Sequence, residues 1–164
     1  PPYGLYQEDG TVAGQEIPFQ GVYRLAPDGT LTLLVADFER PNGLGFSPDE
    51  RRLYIDDTHR MHIRVFDVSP AGDLSNGRVF AEMQPADDEG VPDGLKVDRE
   101  GNVYCTGPGG VQVFDPGGAY LGTIAMPEVT ANLAFGGDDW RTLFLTASTS
   151  LYRVRVGIPG VPVP

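Results

Sequence analysis

The sequence is poor in cysteine, in positive charge and in long apolar runs. Cys105 is the single cysteine among 164 residues, so no internal disulfide can form. We expect it to be a small buried side chain in the strand-like "NVYCTG" segment rather than a reactive thiol. The 12 Lys and Arg residues face 23 Asp and Glu residues, and the resulting net charge of −11 argues against nucleic acid or an anionic membrane as a partner. No apolar run of transmembrane length and no secretory signal is visible. The localisation of the expected soluble protein, cytoplasmic or periplasmic, stays open, because any signal peptide would lie in the upstream part of the chain.

Glycine and proline, by contrast, are abundant. The 22 glycines and 15 prolines are spread along the whole chain, which is typical of many short strands joined by turns. No segment shows helical periodicity over a useful length. The composition therefore predicts an all-β protein.

Three segments share one internal pattern. Each begins with Asn or Asp, continues as a short strand, turns through polar residues and ends in a second strand. The segments are "PNGLGFSPDERRLYIDDT" (41–58), "PDGLKVDREGNVYCTGP" (92–108) and "ANLAFGGDDWRTLFLTAS" (131–148). Aligning them on Phe46, Val97 and Phe135 brings Leu53, Val103 and Leu143 to nearly equivalent places, with turn lengths that differ by a residue. The third copy lacks the glycine that follows Asn or Asp in the other two.

Two further strand candidates follow each of the first two copies. They are residues 63–69 and 78–83 after the first, and 111–116 and 120–127 after the second. Four antiparallel strands repeated every 40 to 50 residues or so are typical of a β-propeller blade. An immunoglobulin-like sandwich also has short alternating strands but requires no tandem repeat, so we favour the propeller.

The predicted strands are too few to form a closed propeller. Residues 21–38 supply only the two outer strands of an earlier blade, and residues 150–157 are the third strand of the last blade. This makes roughly three and a half four-stranded blades, fewer than the about four to eight that close a propeller. We interpret residues 1–164 as a partial β-propeller domain and expect the missing blades to lie upstream in the chain.

Repeat register distinguishes Asp93 from Asp28, although both stand in a Pro-Asp-Gly triplet. Asp28 lies between two outer strands and is expected in an ordinary hairpin turn. Asp93 opens an innermost strand, as do Asn42 and Asn132 in the other copies. Because innermost strands surround the central channel, we expect these three side chains to converge at one mouth of it. Alternatively, Asn42 and Asp93 only stabilise their own turns through local hydrogen bonds.

Carboxylate and carboxamide oxygens are hard ligands that suit Ca²⁺ or Mg²⁺ and tolerate Mn²⁺ or Zn²⁺. At such a site Asp93 would serve as a ligand, as a general base toward water, or as both. Asp56 and Asp57 are interpreted as turn or hydrogen-bonding residues, with a second cation site as the alternative. His59 and His62 are placed in the connection between a second and a third strand, with a rim contact to substrate as their alternative role.

The segments beginning at residues 1, 41, 91 and 131 together resemble the SMP-30/gluconolactonase/LRE-like family. The similarity extends over essentially the whole chain and is closest to bacterial gluconolactonases, which end in a pattern like "SLYRVRVGIPG". It implies a six-bladed propeller with one divalent cation in the central tunnel. The cation would be held by Asn42 of the PNG motif, Asp93 of the PDG motif and a glutamate of the first blade. That glutamate is expected upstream of residue 1.

The same resemblance implies a hydrolase that opens sugar lactones such as glucono-1,5-lactone. A divalent cation, Ca²⁺ in the first place with Zn²⁺, Mg²⁺ or Mn²⁺ as alternatives, would polarise the lactone carbonyl while water attacks. Asp93 would act as ligand and base, and Tyr3 and Asn132 would line the substrate cavity. We expect the isolated 164 residues to be inactive without the missing blades. The alternative is a non-enzymatic propeller that binds a metal or a partner.

Overall fold

The computed structural model describes residues 14–87 and 89–162, and within them the chain forms thirteen β-strands. They are β1 (Gln20–Leu25), β2 (Leu31–Phe38), β3 (Pro41–Phe46), β4 (Arg52–Asp57), β5 (His62–Val68), β6 (Leu74–Glu82), β7 (Leu95–Val97), β8 (Val103–Gly107), β9 (Gly110–Phe114), β10 (Tyr120–Ala125), β11 (Thr130–Gly136), β12 (Thr142–Ala147) and β13 (Leu151–Arg155). Over these residues no helix is long and apolar enough to cross a membrane.

The strands form four antiparallel sheets of consecutive strands. The first contains β1 and β2, the second β3 to β6, the third β7 to β10 and the fourth β11 to β13. This arrangement confirms the predicted all-β fold and, over the described residues, the predicted grouping into a strand pair, two four-stranded sheets and a three-stranded sheet. The prediction for residues 78–83 began too late, because β6 already starts at Leu74.

The register of the first two strands confirms the alignment of the three repeats. In each blade the residue on which the copies are aligned pairs directly with the second aligned residue of the same copy. The pairs are Phe46 with Leu53, Val97 with Val103, and Phe135 with Leu143. The turn between each pair of strands reverses the chain through a residue with positive φ: Glu50 at 57°, Gly101 at 86° and Trp140 at 55°. The polar turn sequences therefore fix the same register three times.

Apolar layers join each sheet to the next. The first layer includes Val22, Val35, Phe38, Leu53, Ile55 and Phe66, from the first and second sheets. The second is centred on Tyr54, Ile63, Leu95, Val103 and Phe114, and the third on Tyr104, Val111, Leu133, Phe135 and Leu145. Because the sheets pack face to face in this way, β7 lies against both β3 and β11. The beginnings of the innermost strands are thereby brought side by side.

Leu44 and Phe46 are large apolar side chains that remain 50% and 46% exposed on the innermost strand β3. Their pairing partners Ile55 and Leu53 are buried against the first sheet. In the described part of the chain that sheet contains only β1 and β2.

Candidate functional site at the ends of the innermost strands

Two glycines allow the predicted site residues to approach one another. A Cβ at Gly43, next to Asn42, would collide with the Asp93 carbonyl oxygen. A Cβ at Gly94, next to Asp93, would collide with the Asn132 side chain. Asn42, Asp93 and Asn132 therefore lie together at the ends of three neighbouring strands, as the repeat register predicts. Tyr3, the other predicted lining residue, lies outside the described residues.

Asn42 is connected to the PDG segment by side-chain hydrogen bonds. Its amide Nδ2 donates to the hydroxyl Oγ1 of Thr58 over 3.2 Å, and this hydroxyl donates to the Pro92 carbonyl oxygen over 2.6 Å. The Asn42 side chain also bonds to the Asp93 carboxylate. Two motifs that are 51 residues apart in sequence thus become one hydrogen-bonded unit.

The backbone at Asp93 is held by Thr106 of β8. The N–H groups of Asp93 and Gly94 donate to the Thr106 hydroxyl over 3.0 and 3.2 Å. In the other Pro-Asp-Gly triplet the aspartate itself stabilises the turn, since the Asp28 carboxylate accepts a hydrogen bond from the Thr30 N–H over 2.9 Å. Asp28 therefore has the predicted role of an ordinary hairpin-turn residue. The Asp93 carboxylate instead meets a side chain from the neighbouring blade.

Burial acts on the carboxyl group of Asp93. The side chain is half-buried, and this desolvation raises its pKa, while the hydrogen bond from Asn42 works in the opposite direction. A raised pKa makes a carboxylate a stronger base toward water. Asn42 is likewise half-buried, so both side chains keep some access to solvent.

A second carboxyl group lies directly behind this pair. Asp56 on β4 is 0% exposed, and burial, the largest influence, raises its pKa to about 8. It accepts hydrogen bonds from the Gly43 N–H and, over 3.7 Å, from the Cys105 thiol. Its Oδ1 has no hydrogen-bond partner within the described residues. Cys105 is itself fully buried with a raised pKa, which fits the predicted packing role.

Asp56 and Thr106 occupy the same place in their blades. Each stands three residues after the aligned residue of its second strand, Leu53 or Val103, and each accepts a hydrogen bond from the backbone N–H of the glycine after the site residue. Thr146 is the equivalent residue in the last blade. A polar residue recurring at one register of an otherwise apolar strand was the sequence signal for these residues, and sequence reasoning missed their role at the site.

Asn132 opens onto a cavity of about 370 Å³ beside the innermost strands. Its Oδ1 accepts the Leu133 N–H over 2.8 Å. The wall also includes Lys96 of β7, whose pKa is lowered by burial and whose ammonium group donates to the Leu95 carbonyl over 2.8 Å. Asn132 thus lines a space beside β7, β11 and β12, and its role toward a substrate stays a prediction.

Asp57, His59 and His62 lie in the turn between β4 and β5 or in the adjoining strand ends, where their contacts are with other parts of the fold. Asp57 is fully buried and accepts the backbone N–H groups of Glu39, Arg40, His59 and Arg60, as expected of a hydrogen-bonding residue. His59 lies in the turn, with its Nε2 3.1 Å from a Glu39 carboxylate oxygen. The loop prediction for His62 was wrong, because this residue opens β5 and is buried in the sheet.

The donor set at the mouth fits a hard cation in part. Asn42 and Asp93 are hydrogen-bonded to each other and carry an amide and a carboxylate oxygen, the ligand types that Ca²⁺ and Mg²⁺ prefer. Within residues 14–87 and 89–162 no cluster of three or more His, Cys, Asp or Glu side chains could hold a metal ion. The described residues therefore supply part of a coordination shell rather than a complete one.

Comparison with known proteins places this geometry in context. Residues 4–149 match the family model described as the SMP-30/Gluconolactonase/LRE-like region. A gluconolactonase of Zymomonas mobilis is 38% identical over 94% of the chain and 45% of its own length. The solved structure of a gluconolactonase from Xanthomonas campestris has a TM-score of 0.81 and 36% identity, over 97% of the chain and 52% of that protein.

A more distant structure, regucalcin from Agrobacterium tumefaciens, is described as a calcium-binding protein. It has a TM-score of 0.75 and 22% identity over 85% of the chain and 53% of its own, a likeness that shows the fold alone. The chain spans about half the length of the relatives it matches.

Proposed function

Since the chain belongs to the SMP-30/gluconolactonase/LRE-like family, we propose that it contributes Asn42 and Asp93 to the active site of a cation-dependent sugar lactonase. The observation that carries the proposal is the junction of the two motifs. The side chains of Asn42 and Asp93 share a hydrogen bond at the ends of adjacent innermost strands. The backbone N–H groups of Asp93 and Gly94 donate instead to the Thr106 hydroxyl, so the Asp93 carboxylate is not what holds this turn.

In the proposed site Asn42 and Asp93 would hold a divalent cation through their side-chain oxygens. When bound, such a cation polarises a carbonyl group and lowers the pKa of water. Ca²⁺ is our first choice because both donors are hard oxygen ligands, with Zn²⁺, Mg²⁺ and Mn²⁺ as alternatives. The remaining ligands, including the glutamate implied by the family resemblance, would come from other parts of the full-length protein.

Asp93 is the proposed general base. Its carboxylate takes a proton from the water whose oxygen attacks the lactone carbonyl carbon. The bond between this carbon and the ring oxygen then breaks, and the ring oxygen takes a proton to become a hydroxyl group. The product is a hydroxy acid, and atoms and charge balance without any further reactant. Asn132, next to Gly94, is proposed to contact the hydroxyl groups of a sugar lactone.

Glucono-1,5-lactone is the substrate to test first, because both the Zymomonas relative and the Xanthomonas structure are named gluconolactonase. Acid release by the full-length protein is followed in a pH-stat, before and after treatment with a chelator and after readdition of each cation. We expect hydrolysis to disappear with the chelator and to return with Ca²⁺. Hydrolysis that persists unchanged in the chelator contradicts the cation dependence.

The chain supplies its own control for Asp93. In the full-length protein, Asp93→Ala is expected to lower kcat/KM by at least about 100-fold, the usual lower bound for losing a general base. Asp28→Ala removes the aspartate of the same triplet from an outer turn, and we expect its kcat/KM to stay at the wild-type value. If Asp93→Ala hydrolyses lactone like the wild type, the protein is better explained as a non-enzymatic binding propeller.

A further inference from the structure

The Thr58 hydroxyl is hydrogen-bonded between Asn42 and the PDG segment. Thr58 follows β4, is largely buried and was not selected by sequence reasoning. Its hydroxyl oxygen lies 2.6 Å from the Pro92 carbonyl oxygen and 3.2 Å from the Asn42 amide nitrogen. It therefore contacts both motifs of the proposed site.

The direction of these bonds follows from the chemistry of the groups. A backbone carbonyl can only accept, so the one hydroxyl proton of Thr58 is directed to Pro92. The hydroxyl oxygen is then an acceptor for any further neighbour, and only the NH₂ side of the Asn42 amide can donate to it. An ionised Asp93 carboxylate is also an acceptor, and it is bonded by the same Asn42 side chain.

We propose that Thr58 is a positioning residue that directs the Asn42 amide nitrogen into the protein and its oxygen toward the cation of the proposed lactonase site. The inference rests on the proposed function, since it assigns a partner to one of the two proposed ligands. With Thr58 in place, reversal of the amide would bring two acceptor oxygens together with no proton between them. Without the hydroxyl, only the bond to Asp93 still opposes reversal, and a reversed amide would present its NH₂ group to a cation.

Thr58→Val tests this directly, because valine keeps the shape of threonine and removes the hydroxyl. In the full-length protein we expect Ca²⁺ affinity, measured by isothermal titration calorimetry, to fall roughly 10- to 100-fold, the usual effect of losing a partner that orients a metal ligand. Thr58→Ser keeps the hydroxyl and is expected to restore the affinity to within about threefold of the wild type. Thr142→Val, a matched loss of a hydroxyl at the far end of β12, is expected to have no effect.

A second comparison separates orientation of the amide from general damage to the fold. In an Asn42→Asp background the ligand is a carboxylate with an oxygen on both sides, so adding Thr58→Val is expected to change affinity less than about threefold. An equal loss in both backgrounds overturns the inference. Thr58→Ala replaces Thr58→Val throughout if the valine variant does not fold, as judged by its melting transition in chelator.

The outcomes also separate this inference from the proposed function. If the wild type binds no divalent cation and Asp93→Ala leaves hydrolysis intact, both are wrong. If Asp93→Ala loses cation binding while Thr58→Val binds like the wild type, only the role of Thr58 is wrong. If Thr58→Val loses binding and Thr58→Ser recovers it, the positioning role is supported.

Discussion

Replacing Asp56 by asparagine should remove a steep dependence of stability on pH. The Asp56 carboxyl group is fully buried, and its pKa in the folded protein is about 8, against 3.8 for an ordinary aspartate. A folded pKa above the unfolded one means that the folded protein holds a proton that the unfolded chain releases. This contribution to stability is complete below pH 3.8 and is lost as the pH rises toward 8.

The size of the effect follows from linkage. Between the two pKa values the free energy of unfolding of the wild type should fall by about 1.4 kcal/mol for each pH unit, relative to a variant with no titratable group at this position. A difference of about four pKa units corresponds to a total on the order of 5 kcal/mol. Asparagine is neutral at every pH and keeps an oxygen that can accept the Gly43 N–H, so Asp56→Asn should resemble the protonated wild type.

The assay is urea unfolding of the full-length wild type and Asp56→Asn between pH 5 and 8. A chelator is present throughout, because a cation at the neighbouring site would lower the pKa of Asp56. The other titratable groups are the same in the wild type and in Asp56→Asn, so their contributions cancel in the difference between the two free energies of unfolding. Asp28→Asn serves as the control, since the pKa of this exposed carboxylate is lowered and its titration lies below the tested range. A stability difference between wild type and Asp56→Asn that stays constant from pH 5 to 8 refutes the reasoning.

Three further predictions concern packing in the full-length protein, each measured by urea unfolding. Gly43→Ala should destabilise by about 1–3 kcal/mol or more, because its Cβ would meet the Asp56 carboxyl group and the Asp93 carbonyl; wild-type stability would show that the strands can separate without cost. Asp57→Ala should cost about 3 kcal/mol or more, because buried backbone N–H groups lose a charged acceptor, and a loss under about 1 kcal/mol would contradict this. Leu145→Ala, at a fully buried position, should cost about 2–5 kcal/mol, whereas Leu151→Ala at a 68% exposed one should cost under about 0.5 kcal/mol; equal losses would contradict the assigned core.

The strand order could be predicted from the sequence because the chain repeats itself. Phe46, Val97 and Phe135 align in the sequence, and each pairs directly with the second aligned residue of its own copy, although the three turns differ in length. The repeat also separated Asp93 from Asp28, and the structure gives their carboxylates different partners. Periodicity predicted which strands exist, since it reflects the alternation of side chains in a pleated sheet.

The partners of the site residues could not be predicted in the same way. Thr58 contacts Asn42 and the carbonyl of Pro92, which is 34 residues further along the chain, and this contact depends on how two blades pack. Asp56 is adjacent to Asp57 and looks the same in the sequence, yet the two carboxyl groups have different partners. Asp57 accepts backbone N–H groups of a turn, and Asp56 is enclosed between two sheets. Successive residues of a strand point to opposite faces of the sheet, so the sequence predicts that Asp56 and Asp57 face different ways. It does not predict which residues of the adjacent sheet each side chain contacts.

Crystals of the full-length protein soaked in Mn²⁺ would test the central claim most directly, because the anomalous signal of this ion locates it without reference to activity. The proposed site predicts one peak within about 2.6 Å of both the Asn42 Oδ1 and an Asp93 carboxylate oxygen. The peak should disappear in Asp93→Ala and persist in Asp28→Ala. An ion bound elsewhere, or no ion at this pair of residues, would contradict the assignment of Asn42 and Asp93 as the ligands of a lactonase cation.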